Sequence, residues 1–331
     1  MRALGEDCLS WLPRRALPVL DTVSRSWLVR SRSVYVREIG TIANALGMAG
    51  VWFLNSSYQW GCTAVAREQE GAPWLARTLD WPLRGLGRHV EIAHMRGAVG
   101  EFYNVTWPGY VGVLTACAPG RFAAAINQAP LRRRTLKPWL RPLDLALNAA
   151  GTWGTRHVPP DHLLREVFET CRSFREARKQ LETTPVARPV IFTLVGCNRG
   201  ERCVIERTEE GCTAREDDTA TANDWLHGQS RWEARINPGM VLTASYQDAA
   251  ARSRARREAL AGCCEPFGCA AFAWLVPPVL NAFTRVAVEM CPAQPLLRTA
   301  GYELATGDEL ARPVTQMCTL AGTTVEANLA S

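Results

Sequence analysis

Lysine is nearly absent from this chain of 331 residues: only Lys137 and Lys179 stand among 38 basic residues, and the rest are arginine. The resulting net charge of +6 is mild for this length and does not by itself imply a polyanionic partner. The arginine runs Arg132-Arg133-Arg134 and Arg252-Ser253-Arg254-Ala255-Arg256-Arg257 carry no interleaved aromatics, so they lack the stacking platforms of nucleic-acid grooves and read as solvated faces. No nucleic-acid partner is expected. Histidine is also scarce: the five present form no close pair, and Cys197/Cys203 and Cys264/Cys269 miss zinc-ribbon spacing. We expect mostly free thiols, no metal and no cofactor. Long apolar runs are missing as well. The stretches Ile42 to Leu54 and Cys269 to Leu280 are too short or too broken by proline to span a bilayer, which takes about 20 residues. The opening residues lack the uninterrupted apolar core of a secretory signal, so the expectation is a soluble, cytoplasmic protein without a transmembrane segment.

What is present is an ordinary globular composition, 47% hydrophobic and 21% charged, enough for one sizeable enzyme domain. Residues 1–35, punctuated by arginine and proline, read as a partly ordered arm. Ile39, Ile42, Ala43 and Leu46 then trace a helix face that ends at Gly47. From Cys62 to Gln128 apolar runs alternate with turns at Gly71, Gly97 to Gly100 and Gly120, the pattern of antiparallel hairpins. Leu143 to Ala150 predicts a helix. Another starts at Pro159-Pro160-Asp161 and carries apolar residues at three- and four-residue intervals from Leu163 to Leu181. Strands return at Val190 to Val195 and Cys203 to Arg207, a helix is predicted over Arg252 to Leu260, and strand-like runs close the chain at Arg285 to Met290 and Gln316 to Leu320.

The residue that carries chemistry is Cys62, at the start of a strand pattern in Trp60-Gly61-Cys62-Thr63-Ala64-Val65-Ala66. Taken alone, it also fits an inert buried thiol, since cysteine is among the most buried residue types. Its setting suggests more. Cleavage of the Gly61–Cys62 bond would give the thiol a base of its own, the new α-amino group with an ordinary pKa of about 7.7–8.0. Arg77 and Asp80 follow after the Glu70-Gly71-Ala72-Pro73 turn, which folds them back to the same end of the sheet. There a guanidinium favours thiolate and a carboxylate holds an ammonium; the plain alternative is a surface ion pair worth about 0–1 kcal/mol.

From about Val36 to Thr324 the chain resembles the acid ceramidase and N-acylethanolamine acid amidase group, within the cholylglycine-hydrolase-like branch of N-terminal-nucleophile hydrolases. The resemblance rests on Asn104-Val105-Thr106-Trp107-Pro108-Gly109-Tyr110-Val111-Gly112-Val113-Leu114-Thr115 with Pro119-Gly120-Arg121-Phe122, on Thr184 to Phe192 leading to Cys203-Val204-Ile205-Glu206-Arg207, and on Thr221-Ala222-Asn223-Asp224-Trp225. It implies an α+β fold, the αββα sandwich of two antiparallel sheets between helical layers. It also implies residues 1–61 as a pro-segment or N-terminal helical subunit and 62–331 as the catalytic domain, the two remaining associated without a covalent link after cleavage. Ceramidase relatives often carry Asn-Glu-Arg where this chain has Asn127-Gln128-Ala129, so a family carboxylate is missing here.

The resemblance implies a set of roles: Cys62 as nucleophile, Asp80 holding the α-ammonium, Arg77 beside the thiol, Asn223 donating to the oxyanion. Without it, Asn223 reads more readily as an Asx turn before Asp224. A further arginine is expected from the 252–257 run; counting back from Leu260 favours Arg252. The function implied is hydrolysis of linear N-acyl amides through a Cys62 thioester, with Trp52, Trp60, Trp81 and Trp107 near an apolar acyl pocket. An acyltransferase of the same fold and a non-catalytic acyl-binding module are the alternatives.

Overall fold

The computed structural model describes residues 2–10, 12–56, 61–135, 137–217, 219–227, 231–234, 245–269, 271–321 and 324–326. Two antiparallel sheets form its centre. In the first, β1 (Gly61–Gln69) lies between β11 (Thr219–Thr221) and β2 (Ala72–Asp80), and β13 (Thr284–Cys291), β14 (Leu296–Glu303), β16 (Cys318–Ala321) and β17 (Thr324–Glu326) follow outward. The second runs β10 (Cys212–Arg215), β9 (Arg202–Arg207), β8 (Val190–Val195), β6 (Phe122–Gln128), β5 (Thr115–Ala118), β4 (Gly100–Thr106) and β3 (Glu91–Gly97). A two-stranded ribbon, β7 (Leu131–Arg132) with β12 (Trp232–Glu233), stands apart.

Side-chain alternation along each strand sorts the residues into layers. Leu75 and Leu79 of β2 face Ala123 and Ala125 of β6 in one core between the sheets, where the small alanine side chains let the sheets approach. On the outer face of the second sheet, Phe122, Ala124 and Ile126 pack on Leu163, Phe168 and Leu181 from α6 (Pro160–Thr170) and α7 (Phe174–Thr183). On the outer face of the first, Trp74 and Ala76 meet Leu260 of α8 (Tyr246–Ala261) and the Phe267 to Val279 segment. The order is therefore helix, sheet, sheet, helix, as the resemblance implies. Among the described residues no helix is long and apolar enough to cross a membrane.

The structure departs from the sequence reading at three points. The partly ordered arm expected over residues 1–35 instead carries two helices, α1 (Arg2–Leu9) and α2 (Leu17–Arg30), which bury Leu4, Cys8, Trp27 and Leu28 in the inter-sheet core. The apolar periodicity from Leu163 to Leu181 belongs to two helices, because Ser173 caps α7 by accepting from the Glu176 N–H while Glu176 accepts from the Arg172 N–H. The third is β14, which carries no expectation from the sequence. It buries Arg298 and Glu303 against Glu289 and Arg285 of β13, and these charges break the apolar pattern that marks a strand.

The N-terminal helices are fastened to the rest by polar contacts as well as by the core. Ser33 Oγ lies 2.7 Å from His162 Nδ1, the Tyr35 hydroxyl donates to Glu169 at 2.7 Å, and Arg165 donates to Glu38 at 2.9 Å. Asn55, after α4 (Val51–Leu54), donates to the Gly109 carbonyl and accepts from the Val111 N–H. His162 is wholly buried, and burial holds its pKa below the usual histidine value against the opposing pull of Asp161. A ring kept neutral in the fold gives stability that is present above its unfolded pKa of about 6.5 and is lost as pH falls below it. Urea unfolding should show the wild-type chain losing stability between about pH 7 and pH 5 more steeply than His162→Gln; equal slopes would mean the ring titrates normally.

Candidate active site

Register assembles the site. In the β1–β2 hairpin Gly61 pairs with Asp80, Cys62 with Leu79 and Ala64 with Arg77, so Cys62 and Arg77 are diagonal neighbours on one face, within reach of a long side chain. The turn that fixes this register has Glu70 at φ 52° and Gly71 at φ 78°, the left-handed conformations of a two-residue hairpin loop. Arg77 is buried and spends its guanidinium on the inner side: Nη2 donates to Cys62 Sγ at 2.9 Å and to the Ile126 carbonyl at 3.1 Å, and Nη1 to Thr115 Oγ1 at 2.7 Å.

Asp80 lies on the opposite face of β2, since residues 77 and 80 differ by an odd number. Its carboxylate accepts from Thr284 Oγ1 and Asn281 Nδ2, both at 3.0 Å. It also flanks the Gly61–Cys62 bond, because a Cβ at residue 61 would meet Asp80 Cβ at 3.4 Å and Asn223 Oδ1 at 3.6 Å.

Asn223, fully buried after β11, accepts at Oδ1 from the Cys62 N–H at 2.8 Å and from Arg256 Nη2 at 2.9 Å. Its Nδ2 donates to the Gln128 carbonyl at 2.9 Å. An amide nitrogen carries two protons, so this bond uses one of them. The nitrogen of Cys62, whose charge Asp80 was expected to hold, is bound in the intact chain by Asn223.

The Cys62 thiol is fully buried. Burial pushes its pKa up to about 11, with Asp80 adding to the rise, while Arg77, a backbone hydrogen bond from Gln128 and Arg256 pull the other way. In the intact chain the thiol is thus protonated at neutral pH and shielded from solvent.

Four of the five predicted residues, Cys62, Arg77, Asp80 and Asn223, converge. Arg252 does not: it is exposed on α8, and the arginine that reaches Asn223 is Arg256. The stripe Ala249, Ser253 and Leu260 is the buried side of α8; residue 256 lies one turn from both Ser253 and Leu260, a phase signal that arginines spread along the helix conceal. Thr115, Gln128, Ser253, Asn281 and Thr284 were also missed, being ordinary polar residues whose partners lie far away in sequence. Trp60 lies outside the described residues. No group of histidine, cysteine, aspartate or glutamate side chains suited to hold a metal occurs among the described residues.

Comparison with known proteins bears on the fold and on overall sequence similarity. No family profile matches the chain. It is 29% identical over 171 residues to the N-acylethanolamine-hydrolyzing acid amidase of Oryctolagus cuniculus, covering 50% of this chain and 45% of that protein. Over 149 residues it is 29% identical to the acid ceramidase of Macaca fascicularis, covering 45% of this chain and 36% of that protein. The chain is similar in sequence to both kinds of enzyme. It spans about half the length, or less, of these curated relatives. The solved structure of the Caenorhabditis elegans N-acylethanolamine-hydrolyzing acid amidase ortholog superposes with a TM-score of 0.52 at 17% identity, covering 71% of this chain and 94% of that one. The fold is thus the αββα sandwich shared with that ortholog.

The two arginines should respond differently to truncation. Arg77→Ala strands Thr115 and the Ile126 carbonyl inside the core and should cost about 2–4 kcal/mol in chemical unfolding. Arg252→Ala, on the exposed side of α8, should stay within about 0.5 kcal/mol of wild type. Equal losses would contradict the placement.

Proposed function

We propose that the chain is a cysteine amidohydrolase that cleaves the C–N bond of linear N-acyl amides after breaking its own Gly61–Cys62 bond. The observation that carries this reading is the convergence of Arg77, Asp80 and Asn223 on Cys62 and the peptide before it. Self-cleavage moves the Gly61 carbonyl from the Cys62 nitrogen to its sulfur, and water then hydrolyses that thioester. The freed amine is the base. In turnover the Cys62 thiol passes its proton to this amine and attacks the substrate carbonyl. The remaining Asn223 amide proton meets the oxyanion, the leaving amine takes the proton from the α-ammonium, and water releases the acid from the thioester. Asp80, beside residue 61, favours the ammonium form of the amine.

We place the apolar acyl group at a small cavity beside Trp81, about 30 Å³ as it stands, which has to widen to admit an acyl chain. It is walled by Leu4 and Cys8 of α1, by Leu54, by Trp81 directly after Asp80, and by Leu83, Leu86 and Trp107. The Trp107 indole N–H is already bound to the Leu86 carbonyl at 2.7 Å, which leaves its ring as apolar wall. Residues 1–61 would remain docked after cleavage through the contacts made by Ser33, Tyr35, Glu38 and Asn55. Twelve cysteines without a disulfide fit a reducing compartment, so we place the enzyme in the cytoplasm.

Incubation of matured protein with N-acyl amides of varied acyl length should release free acid and amine, and Cys62→Ala should abolish the release. Asn223→Ala should lower kcat by about 10²–10³ with little change in KM. Acyl transfer to added amines with no acid formed would make the chain an acyltransferase, and turnover surviving in Cys62→Ala would refute the nucleophile. Leu83→Trp, which fills the cavity, should raise KM about tenfold for long-chain amides while sparing short ones; an equal effect on both would move the acyl group elsewhere.

A further inference from the structure

Asn223 has to present its amide in one orientation, yet it sits just past the end of a short edge strand. What holds its backbone is the buried side of α8. Three side chains spaced as one helical face, Ser253, Arg256 and Arg257, grip the dipeptide Asn223-Asp224. Ser253 Oγ accepts from the Asn223 N–H at 3.0 Å and donates to Asp224 Oδ1 at 2.6 Å. Arg257 Nη1 donates to the other Asp224 oxygen at 3.3 Å, and Arg256 Nη2 reaches Asn223 Oδ1. Ser253 is 1% exposed and Asn223 is fully buried.

The direction of the Ser253 hydroxyl follows from its partners. An ionised carboxylate only accepts, so the single hydroxyl proton points at Asp224 and a lone pair faces the Asn223 N–H. Asp224 is itself held in place by Arg257. We propose, on the amidohydrolase reading above, that Ser253, oriented by Asp224, is the positioning residue that fixes Asn223 against Cys62. It touches neither the thiol nor the peptide before it and acts through Asn223 alone. Loss of the hydroxyl leaves a buried N–H unpaired and frees the dipeptide to turn, and a small misplacement of a positioned donor is costly in rate.

The test compares two reactions of Cys62 in the matured protein, each followed by peptide mass spectrometry. Acylation by p-nitrophenyl acetate passes through a tetrahedral oxyanion, whereas alkylation by iodoacetamide does not. Ser253→Ala should lower the ratio of acylation to alkylation rates about tenfold, Ser253→Thr, which keeps the hydroxyl, should restore most of it, and Ser253→Ala should cause no further loss in an Asn223→Ala background. In amide turnover the same variant should lower kcat and leave KM within about twofold. Should Ser253→Ala not accumulate as folded protein, Ser253→Cys, which keeps the volume and weakens the hydrogen bond, gives the same comparison. Acylation that Ser253→Ala leaves unchanged, or an equal further loss in Asn223→Ala, overturns the positioning role alone. A wild-type Cys62 that alkylates but never acylates removes the amidohydrolase reading, and this proposal with it.

Discussion

The antiparallel register of β1 against β2 is the constraint on which the rest depends. Pairing Gly61 with Asp80 puts Cys62 and Arg77 on the inner face and Asp80 on the outer. A slip of one residue would turn every side chain of β1 to the other face, separating the thiol from the guanidinium while also moving Ala66 out of the inter-sheet core. The same burial that stabilises the sandwich therefore specifies the site. It also divides the labour: Arg77 addresses the sulfur from within the core, while Asp80, bound by Asn281 and Thr284, lies beside the Gly61–Cys62 peptide, where we propose the cut.

Burial sets the state of the thiol as well. Desolvation outweighs the nearby guanidinium of Arg77 and holds Cys62 near a pKa of about 11 in the intact chain. A protonated, enclosed thiol is a poor nucleophile toward other molecules, so the one reaction proposed for the intact form is with its own Gly61 carbonyl. Breaking the peptide before Cys62 changes this balance by placing a titratable amine within bonding reach of the sulfur. On this account maturation creates the base that the active form needs.

Much of this was legible in the sequence, because the decisive elements are local. A hairpin with its turn at Glu70-Gly71, and the Cys62, Arg77 and Asp80 spacing around it, is set by strand pairing alone. Asn223 was readable only by resemblance, since nothing nearby distinguishes it from an Asx turn. What stayed hidden is long-range. The strand over Leu296 to Glu303 carries no strand signal in the sequence because its buried Arg298 and Glu303 break the apolar pattern and find their ion-pair partners in β13. The choice between Arg252 and Arg256 turned on which side of α8 faces the sheet, and arginines at 252, 254, 256 and 257 blur that phase. The first two helices were obscured by their prolines and arginines, and their apolar residues make sense only against the inter-sheet core.

The measurement that bears most directly on the central claim is the mass and N-terminal sequence of catalytically active protein, alongside the same measurement on Cys62→Ala. The account predicts that the active species contains a chain beginning at Cys62, with residues up to Gly61 as a separate, co-purifying fragment, and that Cys62→Ala remains a single intact chain. Full activity in protein whose Gly61–Cys62 peptide is unbroken would contradict it.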